Sequence, residues 1–312
     1  NALRTIPQIE IIAKAVARYT PDAWLVNFAN PSGIVTEFLL NHTPVKAVGL
    51  CNLPIGAQER IAKLLGLPMD QVRLETVSLN HCGAITAVYV GGENVLPGLL
   101  HSDLLPAAAE QDAWVANYLP IIELLGAIPN DYLQYFFYRE RKFNEFKNAP
   151  QTRGEACRDI EARLLSHYAN ESNREVPAAL AERGGHLYSE AAIALIASLS
   201  GAAPGNHVVD VQNRGTIDFL PETSVIETSC FVEQGCITRN PLTVTVNDVL
   251  RSLLTSVKAY ETLAVRAALT GDRATALQAL ACNPITADLD KVAPCLTEML
   301  EQNRSLLPRF FE

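Results

Sequence analysis

The chain has 312 residues, of which 48% are hydrophobic and 19% are charged, and its formal net charge is −9. This composition is that of a globular protein long enough for two domains or one large one. Because no stretch concentrates lysine and arginine, we expect no nucleic acid and no membrane as partner, and no apolar run reaches the ~18 residues that span a bilayer.

The first 66 residues alternate between helical and strand patterns. Residues 6–19 carry apolar side chains at the spacing of one helix face. Short apolar runs at 23–30 and 45–50 predict buried strands, with a predicted helix before, between and after them. Helices that alternate with strands over short loops are typical of a parallel sheet with crossover connections. We therefore predict an α/β fold whose first domain comprises residues 1–68.

The pattern changes from residue 69 onward. The stretch "VRLETVSLNHCGAITAVYVGG" predicts two antiparallel strands outside the first sheet, with a break at Asn80–Gly83. The remaining predicted elements are a mostly helical region at 103–170, a buried helix at 186–201, strands at 207–239 and three amphipathic helices at 246–303. We assign them to an α+β catalytic domain over residues 69–312.

A nucleotide-binding turn is missing from the predicted first domain. Nucleotide-binding α/β proteins open with a strand, a Gly-rich turn and a helix, and no G-x-G-x-x-G stands in this chain. The first domain is therefore predicted to be the second half of a Rossmann-like, doubly wound sheet. The start of the chain has no basic segment followed by an apolar one, so we expect it not to be a signal peptide. It has no initiator Met and opens directly on a helical pattern, which indicates truncation or processing of a longer protein.

The cysteines indicate a reducing cellular compartment. There are seven, an odd number, and none forms a C-x-x-C pair. A chain of this size does not need a disulfide framework, so the pattern favours reduced thiols and a cytoplasmic location.

Two polar dipeptides each follow an apolar strand, Cys51-Asn52 and Asn80-His81. Taken singly, Cys51 is typical of a small core residue, Asn52 of a helix cap and His81 of a hydrogen-bonded polar residue. Taken together, a thiolate and an imidazole can share a divalent transition metal and leave positions open for substrate oxygens.

Two further features carry side chains with possible chemistry. Asn30 ends the first predicted strand, where it can cap a helix or bind a ligand over the carboxyl edge of the sheet. Tyr132, Tyr135 and Tyr138 lie at helical spacing, which is typical of core packing. A tyrosine can also act as a base if a nearby cation lowers its pKa from ~10.

Six segments, in their order along the chain, resemble glycoside hydrolase family 4, the NAD- and metal-dependent phosphoglycosidases. They are "ALRTIP" (2–7), "NFANPSGIVTE" (27–37), "GLCNLPIG" (49–56), "LNHCGAI" (79–85), "IPNDYLQYF" (128–136) and "RGGHLYSEAA" (183–192). The resemblance covers essentially the whole chain. It implies a 6-phospho-β-glucosidase-like enzyme, because Asn52 stands where α-acting members tend to have Asp.

The resemblance also implies roles for individual residues. Cys51 and His81 match the ligands of a metal, usually manganese, and Tyr132 matches the proposed base. Asn30 matches a residue that binds the sugar close to the nicotinamide of NAD. The remaining substrate-binding candidates are Asn52, Asn80 and, for the phosphate, Arg183.

Most glycosidases use a pair of catalytic carboxylates, and this family is an exception to that rule. The implied mechanism therefore needs no such pair. NAD⁺ takes a hydride from carbon 3 of the sugar, and the resulting ketone acidifies the proton on carbon 2. The metal polarises the ketone, Tyr132 removes the proton, and the aglycone leaves by elimination. Water then adds and the hydride returns.

One departure from the family pattern is large. The amino-terminal third of the family, which binds most of NAD, is absent from this chain. We therefore expect residues 1–312 alone to bind NAD weakly and to be inactive, and the intact protein to be the enzyme.

Two alternatives remain open. A 2-hydroxy-acid dehydrogenase has a similar "NP" turn after a strand but needs a catalytic His, a substrate Arg and no metal. A non-catalytic fragment would only bind a sugar phosphate or form an oligomer.

Apolar side chains after residue 246 either complete the core or form an interface. They are Leu250, Leu253, Leu254, Val257, Leu263 and Leu269. The resemblance favours a homodimer or homotetramer.

Overall fold

A computed structural model describes residues 1–184 and 187–312. Its strands belong to one mixed sheet. They are β1 (Trp24–Asn27), β2 (Lys46–Gly49), β3 (Val72–Leu79), β4 (Cys82–Val90), β5 (Glu93–Asn94), β6 (Ile128–Pro129), β7 (Gly205–Gln212), β8 (Val225–Glu233) and β9 (Cys236–Arg239).

Helices lie before β1, in several of the connections between strands, and at the end of the chain. They are α1 (Ala2–Tyr19), α2 (Ser32–His42), α3 (Asn52–Leu65), α4 (Leu96–Leu100), α5 (Leu104–Ala109), α6 (Ala113–Leu125), α7 (Gln134–Phe137), α8 (Arg139–Lys147), α9 (Arg153–Tyr168), α10 (Ala179–Arg183), α11 (Tyr188–Ser200), α12 (Asp248–Thr270), α13 (Arg273–Cys282) and α14 (Leu289–Gln302). Within the described ranges, no helix combines the length and apolar character that crossing a bilayer requires.

The sheet has the order β1-β2-β7-β8-β3-β4-β5, with β6 beside β4 and β9 beside β8. The predicted parallel pairing of the first two strands is confirmed, as is the antiparallel pairing of β3 with β4. The prediction that these later strands lie outside the first sheet is wrong. Strands β7 and β8 lie between β2 and β3 and join them into one sheet.

Helices cover both faces of this sheet. Neighbouring residues of a strand point to opposite faces, and β2 shows this directly. Ala47 packs in a cluster with α1, α2 and α12, whereas Val48 packs in a cluster with α11, β7 and β8. The α/β fold class is therefore confirmed, while the domain boundary at residue 68 stays a prediction.

The apolar residues of the carboxyl-terminal helices belong to the core. Leu250, Leu254 and Val257 are buried, and the other three predicted interface residues, Leu253, Leu263 and Leu269, pack against the same clusters. These faces therefore give no argument for an oligomer. Helix α11 was predicted as a buried helix, but it buries only one face and leaves Ile193 and Ile196 exposed.

Gly49 is a position where the fold tolerates no side chain. A β-carbon there would lie 2.5 Å from Oδ2 of Asp210 and would also collide with the hydroxyl of Thr36. We expect Gly49→Ala to lower the free energy of unfolding by about 1–3 kcal/mol, as overpacked cores do. Urea unfolding measures this change.

Gly56→Ala is the matched control for that measurement. Gly56 lies inside α3 with nothing within 4 Å of its added β-carbon, so the alanine should be neutral or stabilising by up to ~1 kcal/mol. Equal stability changes in the two variants would contradict the close approach at Gly49.

Candidate active site

Cys51 lies at the carboxyl end of β2 and is the N-cap residue of α3. Its side chain is only 3% exposed. Asn52 is the first residue inside the helix, so the interpretation of Asn52 as its cap is wrong. The chain thus places a thiol at the start of a helix and at the sheet edge where β1 also ends.

His81 reaches the same place from another part of the sheet. Asn80 and His81 form the two-residue turn between β3 and β4, and His81 has a left-handed φ of 66°. Its Nε2 lies 3.5 Å from Sγ of Cys51. The predicted pairing of these two side chains is therefore present in the structure.

The separation of the two atoms suits a shared metal ion. For zinc, metal–sulfur and metal–nitrogen distances of ~2.3 and ~2.0 Å at a roughly tetrahedral angle place the ligand atoms about 3.5 Å apart. Among the residues that the structure describes, no group of three or more His, Cys, Asp and Glu side chains could hold a metal. The pair therefore fits a metal whose other ligands come from elsewhere, such as substrate oxygens.

Burial dominates the protonation of both side chains. It raises the pKa of Cys51 to about 12, and the negative charges of Glu227 and Asp210 add to the shift. It lowers the pKa of His81 to about 4. The imidazole is therefore neutral near pH 7 with a lone pair free to bind a metal, whereas the thiol releases its proton only when a cation stabilises the thiolate.

Backbone pairing brings Tyr132 next to His81. Strand β6 pairs with the start of β4, and the amide of Asn130 then donates to the carbonyl of Gly83 at 2.9 Å. The side chain of Asn130 accepts from the amide of Tyr132 at 2.9 Å and caps the short 3₁₀ turn that carries the tyrosine. The ring of Tyr132 stacks on His81 with their centroids 4.2 Å apart.

Tyr132 is accessible, with 37% of its surface exposed. Partial burial raises its pKa, as do the nearby Cys51, Tyr135 and Asp131, while the positive charge of Arg153 opposes the shift. The tyrosine is therefore protonated in the protein alone. A cation beside it would favour the phenolate that a base requires.

Asn30 lies in the loop between β1 and α2 and is exposed at the sheet edge. Pro31 is the N-cap residue of α2 and follows a cis peptide bond, so the cap interpretation of Asn30 is wrong. Asn27 holds the loop instead, because its side chain accepts from the amide of Ala29 and donates to the hydroxyl of Thr36. Asn30 is thus not used as a helix cap and lies exposed at the carboxyl edge of the sheet.

Tyr188 was missed by the sequence reasoning. Its side chain lies near those of Asn30 and Cys51, and burial raises its pKa to about 12, with the charge of Cys51 adding to the shift. Its ring also packs edge-on against Phe28 at 5.4 Å. The segment "RGGHLYSEAA" contains Tyr188, so the family resemblance could have identified this residue, but it was used there only for Arg183.

Arg183 is not part of this group in the structure. It is the last residue of α10, is exposed, and its carbonyl accepts a hydrogen bond from Arg153 at 3.0 Å. Gly185 and His186 of the same segment lie outside the described residues. The role of Arg183 in phosphate binding stays a prediction.

The fold and the site define an enzyme of the α/β class. A thiol, an imidazole and a tyrosine meet at the carboxyl edge of the sheet, where such folds bind ligands. Residues 1–67 match the model for family 4 glycosyl hydrolases, and residues 77–286 match the model for the C-terminal domain of the same family. The chain belongs to glycoside hydrolase family 4, whose members hydrolyse O-glycosyl bonds.

Similar proteins support this assignment along the whole chain. A probable 6-phospho-beta-glucosidase of Bacillus subtilis (strain 168) is 34% identical over 321 residues, which cover 100% of this chain and 72% of the relative. Two structures of the Thermotoga maritima 6-phospho-beta glucosidase each match 98% of this chain. The one with NAD and glucose-6-phosphate has 32% identity, a TM-score of 0.86 and 72% coverage of its own chain. The one with manganese, NAD⁺ and glucose-6-phosphate has 31% identity, a TM-score of 0.84 and 71% coverage.

Proposed function

We propose that the protein is a 6-phospho-β-glucosidase that requires NAD and a divalent metal, with Mn²⁺ as the preferred ion. The observation that carries the proposal is the Cys51–His81 pair at 3.5 Å with Tyr132 stacked on the imidazole. A Lewis-acid site beside a base is what elimination at carbon 2 of a sugar needs. The names of the relatives supply the substrate class.

Cys51 and His81 would hold the metal. When bound, NAD⁺ accepts and returns a hydride, and the metal acts as a Lewis acid on the sugar oxygens. Asn30, exposed at the sheet edge and close to Tyr188, would orient the sugar close to the nicotinamide. Asn30 would thus lie beside the nicotinamide ring, the part of NAD that exchanges the hydride.

Tyr132 would remove the proton from carbon 2. It is accessible to a bound sugar, and its ring is held by His81 on one side and by Tyr135 on another, at 4.2 and 5.7 Å. The capped turn before it fixes the backbone. Little reorganisation is needed when the substrate arrives, which favours proton transfer.

The β-linkage rests on Asn52 and on the β-acting relatives. Asn52 and Asn80 would contact the substrate beside the metal, and Arg183 its phosphate. The family match removes the 2-hydroxy-acid dehydrogenase alternative. A cytoplasmic location is proposed because all seven cysteines are free, and a homodimer or homotetramer is proposed from the family resemblance alone.

The test is hydrolysis of nitrophenyl β-glucoside 6-phosphate by the intact protein with NAD⁺, Mn²⁺ and a reductant. We expect activity that EDTA abolishes and Mn²⁺ restores, since removing the metal removes the Lewis acid. The α-anomer and the unphosphorylated β-glucoside are the matched control substrates. Activity that survives EDTA, or equal rates on the unphosphorylated glucoside, would contradict the proposal.

The same assay tests the chain of 312 residues alone. We expect no hydrolysis from it, and robust hydrolysis would show that expectation to be wrong. The absence of activity from the intact protein would instead support the non-catalytic alternative.

A further inference from the structure

Two buried carboxyl groups lie behind the site on neighbouring strands. Asp210 of β7 and Glu227 of β8 are directly opposite each other in the antiparallel register, so their side chains share one face of the sheet. They are 0% and 3% exposed. Buried acids are costly unless they have partners, which makes their contacts informative.

Glu227 contacts the turn that carries His81. Its Oε1 accepts a hydrogen bond from Nδ2 of Asn80 at 2.9 Å, and its Oε2 lies 3.5 Å from the hydroxyl of Ser78. Asn80 directly precedes His81 in the turn between β3 and β4, and Nε2 of His81 lies 3.5 Å from Sγ of Cys51. A continuous path of contacts therefore joins Glu227, Asn80 and the proposed metal ligands.

Asp210 contacts the other two site segments. Its Oδ2 accepts from the hydroxyl of Ser32 at 2.6 Å, two residues after Asn30. Its backbone pairs with Gly49, two residues before Cys51. Asp210 and Glu227 thus contact, between them, the segments that carry Asn30, Cys51 and His81.

The nearby buried lysine is engaged with other acids. Lys258 pairs with Glu37 at 2.7 Å and with Glu261 at 2.5 Å. In the described part of the chain, no ion pair includes Asp210 or Glu227, and Oδ1 of Asp210 has no hydrogen-bond partner. Burial raises the pKa of Asp210 to about 6 and that of Glu227 to about 8, and the charge of Asp210 adds to the second shift.

We propose that Glu227 and Asp210 are positioning residues that fix the Asn80–His81 turn and the Asn30 loop against β2, so that Cys51 and His81 are held ready for the metal. Partners of this kind, one step removed from the ion, orient its ligands. The inference rests on the proposed function, because it takes Cys51 and His81 as ligands.

The test is the affinity of the protein for Mn²⁺, measured from the electron paramagnetic resonance signal of free Mn²⁺. We expect Glu227→Leu to weaken binding about 10–100-fold, because the acceptor for Asn80 is lost. Glu227→Gln keeps an oxygen acceptor for Asn80, so its affinity should stay within about threefold of the wild type. Asn80→Ala breaks the same contact from the donor side and should weaken binding similarly, and the double variant Glu227→Leu, Asn80→Ala should lose no more than either single variant.

Glu75→Leu is the matched control. Glu75 is also a buried acid, 2% exposed on β3, but its partners are Thr86, Tyr89 and Thr243, away from the site. It should lower stability and leave Mn²⁺ affinity unchanged. Equal weakening by Glu75→Leu, wild-type affinity in Glu227→Leu, or equal losses in Glu227→Gln and Glu227→Leu would overturn the inference.

If Glu227→Leu does not fold, Asn80→Ala carries the test: its weakened binding supports the inference, and wild-type binding overturns it. If the wild-type protein binds no Mn²⁺, the proposed function itself fails.

Discussion

Cys51→Ser should abolish stoichiometric Mn²⁺ binding and lower kcat/KM by on the order of 100-fold or more. Residues one step removed from a metal typically contribute 10–100-fold to affinity or activity, and a ligand should contribute at least as much. A serine hydroxyl stays protonated near neutral pH, so it cannot supply the negatively charged ligand atom that a metal-bound thiolate provides. The measurements are the metal content of the protein after dialysis and the rate of hydrolysis by the intact protein under reducing conditions.

Cys230→Ser is the matched control, because Cys230 is equally buried and lies within β8, away from His81. Its sulfur contacts the carbonyl of Thr228. This variant should keep both the metal and the activity. A Cys51→Ser protein that retains one equivalent of Mn²⁺ would show that Cys51 is a core thiol and not a ligand.

Tyr132→Phe should lower kcat about 10²–10⁴-fold, the usual contribution of a positioned general base. The ring would remain, so its stacking on His81 and the binding of Mn²⁺ should not change. The measurement is steady-state hydrolysis of nitrophenyl β-glucoside 6-phosphate, with Mn²⁺ affinity measured on the same sample. A loss confined to kcat would indicate a group that acts in the transition state.

Tyr135→Phe provides the control on the adjacent helix. The ring of Tyr135 lies 5.7 Å from that of Tyr132. The substitution removes one tyrosine hydroxyl, as Tyr132→Phe does, but leaves the ring that stacks on His81 unchanged. We expect near wild-type kcat. A substrate with deuterium at carbon 2 adds a second check, because the wild-type rate should fall if removal of that hydrogen limits it. An unchanged kcat in Tyr132→Phe would show that another residue acts as the base.

Local patterns predicted the first two strands and the site at their ends. Strand, turn and helix signals around Cys51 lie within about twenty residues of one another, so the sequence carries them in full. The pairing of His81 with Cys51 was also foreseen, because both follow apolar strands. Asn30 and Asn52 follow the first two strands as predicted, although neither is the helix cap that short-range preferences favour.

Remote pairings were not predictable from those patterns. Nothing in the alternation of β7 and β8 indicates that they insert between β2 and β3, and the sheet was therefore predicted with the wrong extent. Tyr188 joins Asn30 and Cys51 only because α11 packs over the same edge. The buried carboxyl groups of Asp210 and Glu227 were missed for the same reason, since each resembles an ordinary polar residue of an exposed strand.

The insertion of β7 and β8 also has a kinetic consequence. In the sheet, β2 meets β7 through Gly49 and Asp210, and β3 meets β8 through Ser78 and Glu227. Strands β2 and β3, which precede Cys51 and His81, therefore join one sheet only after β7 and β8, which come much later in the chain, have docked between them. Contacts of such long sequence separation form slowly during folding. A nascent chain would consequently expose Cys51 and His81 as two separate ligands, and binding of the metal by both would be a property of the finished fold.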